Sequence, residues 1–301
     1  MPYTTLISAT ELQSLLRERK PVMIFDCSFD LAQPTEGDAQ FERLRIAGAV
    51  RADLDRHLSA KDAAQTHGVG KTPPMAASGG RHPLPQREVF ADWLSRIGFH
   101  SGMQAVVYDR QSSSFCVRLW WMLKWIGHEA VAVLDGGLPA WQAIQGPVAS
   151  GPAPTPPVAS GTPPFQPGKL LARLVTVDEV RANLNQSSLQ TVVDARAPAR
   201  FRGEVEPLDP VAGHIPGALN RPYSDNFGPD GRFKTPAQLR SEFDALLGGR
   251  HPASVVHQCG SGVTATPNLL AMELAGLGRA ALFAGSWSEW CSDPSRPVAK
   301  G

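Results

Sequence analysis

The 301-residue chain is 42% hydrophobic and 19% charged, and at about 100–200 residues per domain such a length predicts two domains, each with a core of its own. Its 29 basic and 28 acidic side chains leave a formal charge of +1, no surplus with which to hold a polyanion, so nucleic acid is not an expected partner. No apolar run approaches the about 20 residues of a membrane helix, the stretch 115–126 being broken by Arg118 and Lys124.

In chain order, the opening Met-Pro-Tyr-Thr-Thr-Leu6 has neither a basic nor a long apolar region, so no export signal is legible and a cytoplasmic protein is expected. A helix is predicted over 9–19, then a β-branched run, Val22-Met-Ile-Phe-Asp26, that reads as a buried strand. Gly48, in Arg45-Ile-Ala-Gly-Ala49, follows Asp26 by 22 residues. Gly68-Val-Gly-Lys-Thr72 resembles the end of a phosphate-binding loop. The first glycine of that motif is replaced by Gln65, however, and Pro73-Pro74 block the helix that must follow, so it reads as a plain loop. The run 105–109 ends on Asp109 and leads into an apolar helix whose Trp120, Trp121 and Trp125 suit a core or domain interface better than a ligand platform. A further run ends at Gly136, with Trp141 five residues beyond.

Residues 146–168 hold eight prolines and no charged side chain, the composition of an extended, semi-rigid connector. After it the same landmarks return: a helix over 176–185, the run Thr191-Val-Val-Asp194, Gly217 in His214-Ile-Pro-Gly-Ala218, a run over 254–259, and Gly285 with Trp290 five residues beyond. The shared order predicts a duplicated fold, with domains at 1–145 and 169–301 joined by the connector 146–168. Short apolar strands alternating with helices predict an α/β architecture, each domain a mainly parallel sheet with helices on both faces. Ligands in such sheets bind at the carboxyl ends of strands, which singles out Asp109 and Cys259.

Cys259-Gly-Ser-Gly-Val-Thr-Ala265 joins a strand to a helix expected to begin near Thr264. Its two glycines let the backbone fold tightly and turn successive N–H groups inward, and the helix start adds further free amides. Such an anion pocket favours the thiolate, the form that attacks electrophilic sulfur. A lone cysteine is more often a buried structural one; here the glycine cradle favours a nucleophile. Cys27, Cys116 and Cys291 lack that cradle and read as structural. No CxxC spacing occurs, so neither a disulfide scaffold nor a structural zinc site is expected.

The duplicated landmarks and Cys259-Gly-Ser-Gly-Val-Thr-Ala265 resemble the two-domain rhodanese superfamily, specifically its 3-mercaptopyruvate sulfurtransferases. Further matches are Asp194-Ala-Arg196, Arg200-Phe-Arg-Gly203, Gly213-His-Ile-Pro-Gly-Ala218, Asp135-Gly-Gly137 and Gly285-Ser-Trp-Ser-Glu-Trp290. The resemblance covers nearly the whole chain apart from the connector and the ends. It implies tandem rhodanese-like domains of which only the second is catalytic, in keeping with Asp109 at the position matching Cys259. It also implies a double displacement: Cys259 takes a sulfane sulfur from a small-molecule donor as a persulfide and passes it to a thiol, such as that of a thioredoxin, or to cyanide. No metal, organic cofactor or membrane is implied.

Rhodaneses specialised for thiosulfate typically carry basic residues directly after the cysteine. Gly260 and Ser261 bring no charge, the pattern of enzymes whose donor is 3-mercaptopyruvate. The resemblance assigns Arg200 to the donor carboxylate, with the loop residues Gly260, Gly262, Val263 and Thr264 around the sulfur, and Ser261, His82 and Asp55 as a polarising relay to which the first half contributes Asp55 and His82. One departure stands out. A second carboxylate-binding arginine, often about nine residues after the first, is replaced here by Leu208 or Asp209, leaving Arg202 and Arg221 as candidates to compensate. A cysteine phosphatase needs an arginine where Ala265 stands, and the hydrolase elbow spaces its glycines two residues from the serine. Thiosulfate sulfurtransfer and a non-enzymatic persulfide carrier are the remaining alternatives.

Overall fold

The computed structural model describes residues 1–61, 76–152 and 163–301. The loop 68–72 and the middle of the proline-rich connector lie outside the described residues. Two compact units are present, and neither is continuous in sequence. The first comprises Met1–Leu58, Gln86–Leu171 and Pro229–Arg232; the second comprises Ser59–Pro85, Ala172–Gly228 and Phe233–Gly301.

The first unit carries β1 (Leu6–Ile7), β2 (Val22–Asp26), β3 (Arg45–Ile46), β4 (Val50–Arg51), β5 (Gln104–Tyr108), β6 (Val131–Leu134) and β7 (Val148–Ala149). The second carries β8 (Arg173–Leu174), β9 (Thr191–Asp194), β10 (Leu219–Asn220), β11 (Val255–Gln258) and β12 (Ala281–Leu282). The main sheets run β1-β6-β5-β2-β4 and β8-β12-β11-β9-β10, parallel throughout. The two orders are the same order, strand for strand, which is the duplication expected from the landmarks.

Both sheets are covered on two faces, and this explains why their central strands are continuous apolar runs rather than alternating ones. In the first unit Ile24, Val106 and Ala132 pack with Leu12, Phe41 and Trp141, while Phe25 turns to Trp93 and Phe99. In the second, Val192, Val256 and Phe283 pack with Val180, Trp287 and Trp290. His257, on the opposite side of β11, meets Phe243 and Met272. Each large side chain so buried contributes roughly 1.5–3 kcal/mol.

The first helix of each unit starts on the same device, a capping box: Ser8 with Glu11 before Ala9–Arg17, and Thr176 with Glu179 before Val177–Ala182. Both helices end earlier than the pattern predicts, because Arg19 and Asn185 turn to left-handed φ values of 53° and 61°. Trp120, Trp121 and Trp125 are buried along the helix Cys116–Trp125. The connector opens as strand rather than free chain, β7 pairing antiparallel with β3. Among the described residues no helix is long and apolar enough to cross a membrane.

Candidate active site

Cys259 is the residue immediately after β11 and is 1% exposed. Its amide donates to Ser286 Oγ (3.1 Å) and its carbonyl accepts from the amide of Trp287 (3.0 Å). The next carbonyl, that of Gly260, accepts from the Ser288 amide (2.9 Å), so the start of the loop is stitched to the segment 286–288. Gly262 has φ +73°, and a Cβ there would press on the backbone of Ala284, with its C and Cα atoms at 2.8 Å. Only glycine fits. Val263 is buried; its carbonyl accepts from the Thr266 amide (3.1 Å) and Thr266 Oγ1 (2.8 Å). That turn keeps Thr264 outside the helix, which spans Thr266–Leu274 instead of beginning near Thr264.

Ser261 and His82 are both buried and lie together, Ser261 Oγ at 2.8 Å from His82 Nδ1. His82 reaches it because Ser59–Pro85 belongs to the second compact unit although it precedes the second half in sequence. The neighbouring Arg81 amide donates to Ser288 Oγ (3.0 Å), tying this segment to the residues that anchor the cysteine loop. Asp55 lies in the first unit, half-buried, its amide donating to Asp53 Oδ1 (3.0 Å). Ser261 and His82 therefore share one unit with Cys259, and Asp55 belongs to the other.

Arg200 donates from Nη2 to Glu206 Oε1 (2.6 Å) and lies 3.4 Å from Asp209 Oδ2. Asp209 also pairs with Arg81. A Cβ placed on Gly260 would lie 3.1 Å from Arg81 Nη2 and 3.6 and 3.7 Å from the Arg200 Nη atoms. Both guanidinium groups thus stand over the residue next to Cys259. Neither arginine expected to compensate for the missing one does so: Arg202 is exposed and pairs with Glu204, while Arg221 is buried against Glu242, Asn226 and the Phe243 ring. Arg81 stands there instead.

Behind these groups Arg196 is buried, paired with Asp194 and Glu206 and seated 4.8 Å over the Trp287 ring. Burial works against its charge, but Asp194, Glu206 and the nearby Cys259 sulfur outweigh that and hold the guanidinium more firmly protonated. Burial likewise opposes the charge on Glu206, yet Arg200 and the Leu208 and Asp209 amides bring its carboxyl below the ordinary range. For Asp209 burial wins over Arg81 and Arg200, and the carboxyl is pushed up.

The first unit contains the same loop with a different occupant. Asp109 follows β5 as Cys259 follows β11, and the helices begin seven residues later in both, at Cys116 and Thr266. The buried Asp109 carboxylate accepts from the amides of Gln111 (2.9 Å), Ser113 (2.8 Å), Phe115 (2.9 Å) and Cys116 (2.9 Å). The corresponding amides in the second unit are those of Ser261, Val263, Ala265 and Thr266. Gly137 and Ser286, also at matching positions, both have φ +56°. The other thiols are poor nucleophiles: burial pushes Cys27 and Cys116 well up, aided by Asp109, and Cys291 up to about 11.

A family model for the rhodanese-like domain matches residues 8–144 and 176–293. The chain belongs to the rhodanese family. Among its relatives, a Pseudomonas aeruginosa protein named "Probable 3-mercaptopyruvate sulfurtransferase" is 43% identical over 302 residues, covering 100% of both chains. "Putative thiosulfate sulfurtransferase SseB" of Mycobacterium tuberculosis is 36% identical over 299 residues, covering 98% of this chain and 97% of its own. The crystal structure of SseA from Escherichia coli, a 3-mercaptopyruvate sulfurtransferase, superposes with a TM-score of 0.74 at 28% identity, covering 95% of this chain and all of that one. Arg81, Arg196, Glu206 and Ser286 lie among the groups packed around the cysteine loop, and reading the sequence did not single them out. Arg196 and Ser286 were visible only as parts of longer motifs.

Proposed function

We propose that the chain is a 3-mercaptopyruvate sulfurtransferase acting through a Cys259 persulfide. The observation that carries this reading is the uncharged Gly260-Ser261 pair beside Cys259, with the Ser261 hydroxyl 2.8 Å from the His82 ring. A thiosulfate-directed loop has no need of that pair, whereas a keto acid does.

The Cys259 thiolate attacks the thiol sulfur of the donor and forms the S–S bond. The C–S bonding pair departs onto the methylene carbon as an enolate, and the proton released from the donor thiol ends on that carbon, giving pyruvate. Ser261 and His82 donate to and polarise the keto oxygen, where the enolate charge gathers. Arg200 holds the donor carboxylate, bidentate recognition being what a guanidinium offers. The loop Gly260, Gly262, Val263 and Thr264 carries the main chain around the sulfur, and by analogy with the amides that hold Asp109 the donors to it are those of Ser261, Val263, Ala265 and Thr266. An acceptor thiolate, such as that of a thioredoxin, or cyanide then takes the outer sulfur and returns the Cys259 thiolate. Relay through one residue requires ping-pong kinetics. We place the reaction in the cytoplasm, where reducing conditions keep thiols free.

Thiosulfate as donor is the second reading, favoured by the two guanidinium groups over Gly260 and by the name of the mycobacterial relative. The deciding measurement is kcat/KM for each donor, together with intact mass after donor treatment. Wild type should gain one sulfur atom and prefer mercaptopyruvate, and Cys259→Ser should gain none. A Cys259→Ser protein with normal turnover ends the proposal, and a thiosulfate preference of tens of fold replaces it with the second reading.

A further inference from the structure

We infer that Asp209 sets the charge of donor this site accepts, by neutralising Arg81 and Arg200 where they stand over the cysteine loop. The inference rests on the sulfurtransferase reading above. Its basis is a set of linked ion pairs. Arg81 pairs with Asp209, Arg200 with Asp209 and Glu206, and Arg196 with Glu206 and Asp194. Among the described residues three guanidinium groups are ion-paired with three carboxylates, whose charges balance.

Asp209 and Glu206 are buried, their side chains 2% and 3% exposed, as is Arg196, while Arg81 and Arg200 are 25% and 18% exposed. A donor therefore meets guanidinium N–H edges backed by balancing charge. Those edges grip one carboxylate well, but they offer no net attraction for a second negative charge. Asp209 also holds Arg81 in the space above Gly260, where a side chain would meet Arg81 Nη2 first.

Asp209→Asn leaves the cluster one unit more positive. Acting across about 6 Å at an effective dielectric near 40, one unit charge favours a dianion over a monoanion by about tenfold. The ratio of kcat/KM for thiosulfate to that for mercaptopyruvate should therefore rise about tenfold in Asp209→Asn at low salt, and the gain should shrink as ionic strength is raised to about 1 M. Arg81→Gln should lower the ratio, and the Arg81→Gln/Asp209→Asn double variant, neutral again, should bring it back toward wild type. A purely structural role for Asp209 lowers both donors alike and leaves the ratio flat with salt, and that result overturns the inference. Should Asp209→Asn fail to fold, Arg81→Gln alone decides, since Arg81 is at the surface and an unmoved ratio there is equally fatal. A wild-type chain that accepts sulfur from neither donor removes the sulfurtransferase reading as well; one that turns over mercaptopyruvate while the variants keep its ratio removes only the role of Asp209.

Discussion

Replacing Gly262 with alanine tests whether the cysteine loop is held in one shape. The residue sits at φ +73°, and the new Cβ would press on the Ala284 backbone, with C and Cα at 2.8 Å. The left-handed conformation costs an alanine about 1–2 kcal/mol. The steric term adds about 1–3 kcal/mol, because the obstacle is main chain and no rotamer change relieves it. A loss of about 2–5 kcal/mol corresponds to a fall in melting temperature of about 5–15 °C. Where the protein still folds, relieving the contact displaces the loop by a substantial fraction of an ångström, which should cost about 100-fold in kcat. Gly260→Ala is the control. Its Cβ meets the end of the flexible Arg81 side chain at 3.1 Å, so stability should hold and the donor KM should rise. Calorimetry and steady-state kinetics on the pair make the check. A Gly262→Ala protein that melts within 2 °C of wild type (about 0.5–1 kcal/mol) and turns over normally would refute the reasoning.

Glu289, buried against Gly79, has its carboxyl raised to about 7 by burial, against the pull of Arg296 and the Gly79 amide. Between the unfolded value of 4.5 and about 7 the folded state holds a proton the unfolded chain has lost, so this group stabilises fully below the lower value. That contribution, about 3 kcal/mol, is lost as pH rises through the upper one. Glu289→Gln should flatten the decline in denaturant midpoint across that window; an unchanged slope contradicts the assignment. Ser286→Gly should leave stability nearly unchanged, since relief at φ +56° offsets a lost hydrogen bond of about 1 kcal/mol. Its kcat should nonetheless fall several-fold as Cys259 loses its amide anchor, and full activity would show the anchor to be idle. His82→Ala should slow mercaptopyruvate turnover yet still permit persulfide formation on prolonged incubation, as read by intact mass; complete loss of the sulfur adduct would make His82 indispensable rather than assisting.

The strands Val22–Asp26 and Thr191–Asp194 were legible to the residue, because a run of β-branched side chains buried on both faces leaves no other conformation as favourable. The tight loop after Cys259 was legible for a related reason: Gly260 and Gly262 are local, and what they permit is local. Helix ends were less so, since Arg19 and Asn185 leave the helix by φ values that their side chains do not announce. Arg81 was hidden by distance. Its partner Asp209 is 128 positions away, and only the return of Ser59–Pro85 to the second unit brings the two together. Arg202 and Arg221 looked suitable because they were near in sequence, but Glu204 and Glu242 already hold them.

The carboxylate of Asp109 reaches two atoms beyond its Cβ, the same reach as the outer sulfur of a cysteine persulfide. The first unit is thus filled by a side chain of its own, and the duplicated fold keeps one reservoir instead of two. Loading with isotopically labelled donor should accordingly saturate at a single equivalent per polypeptide.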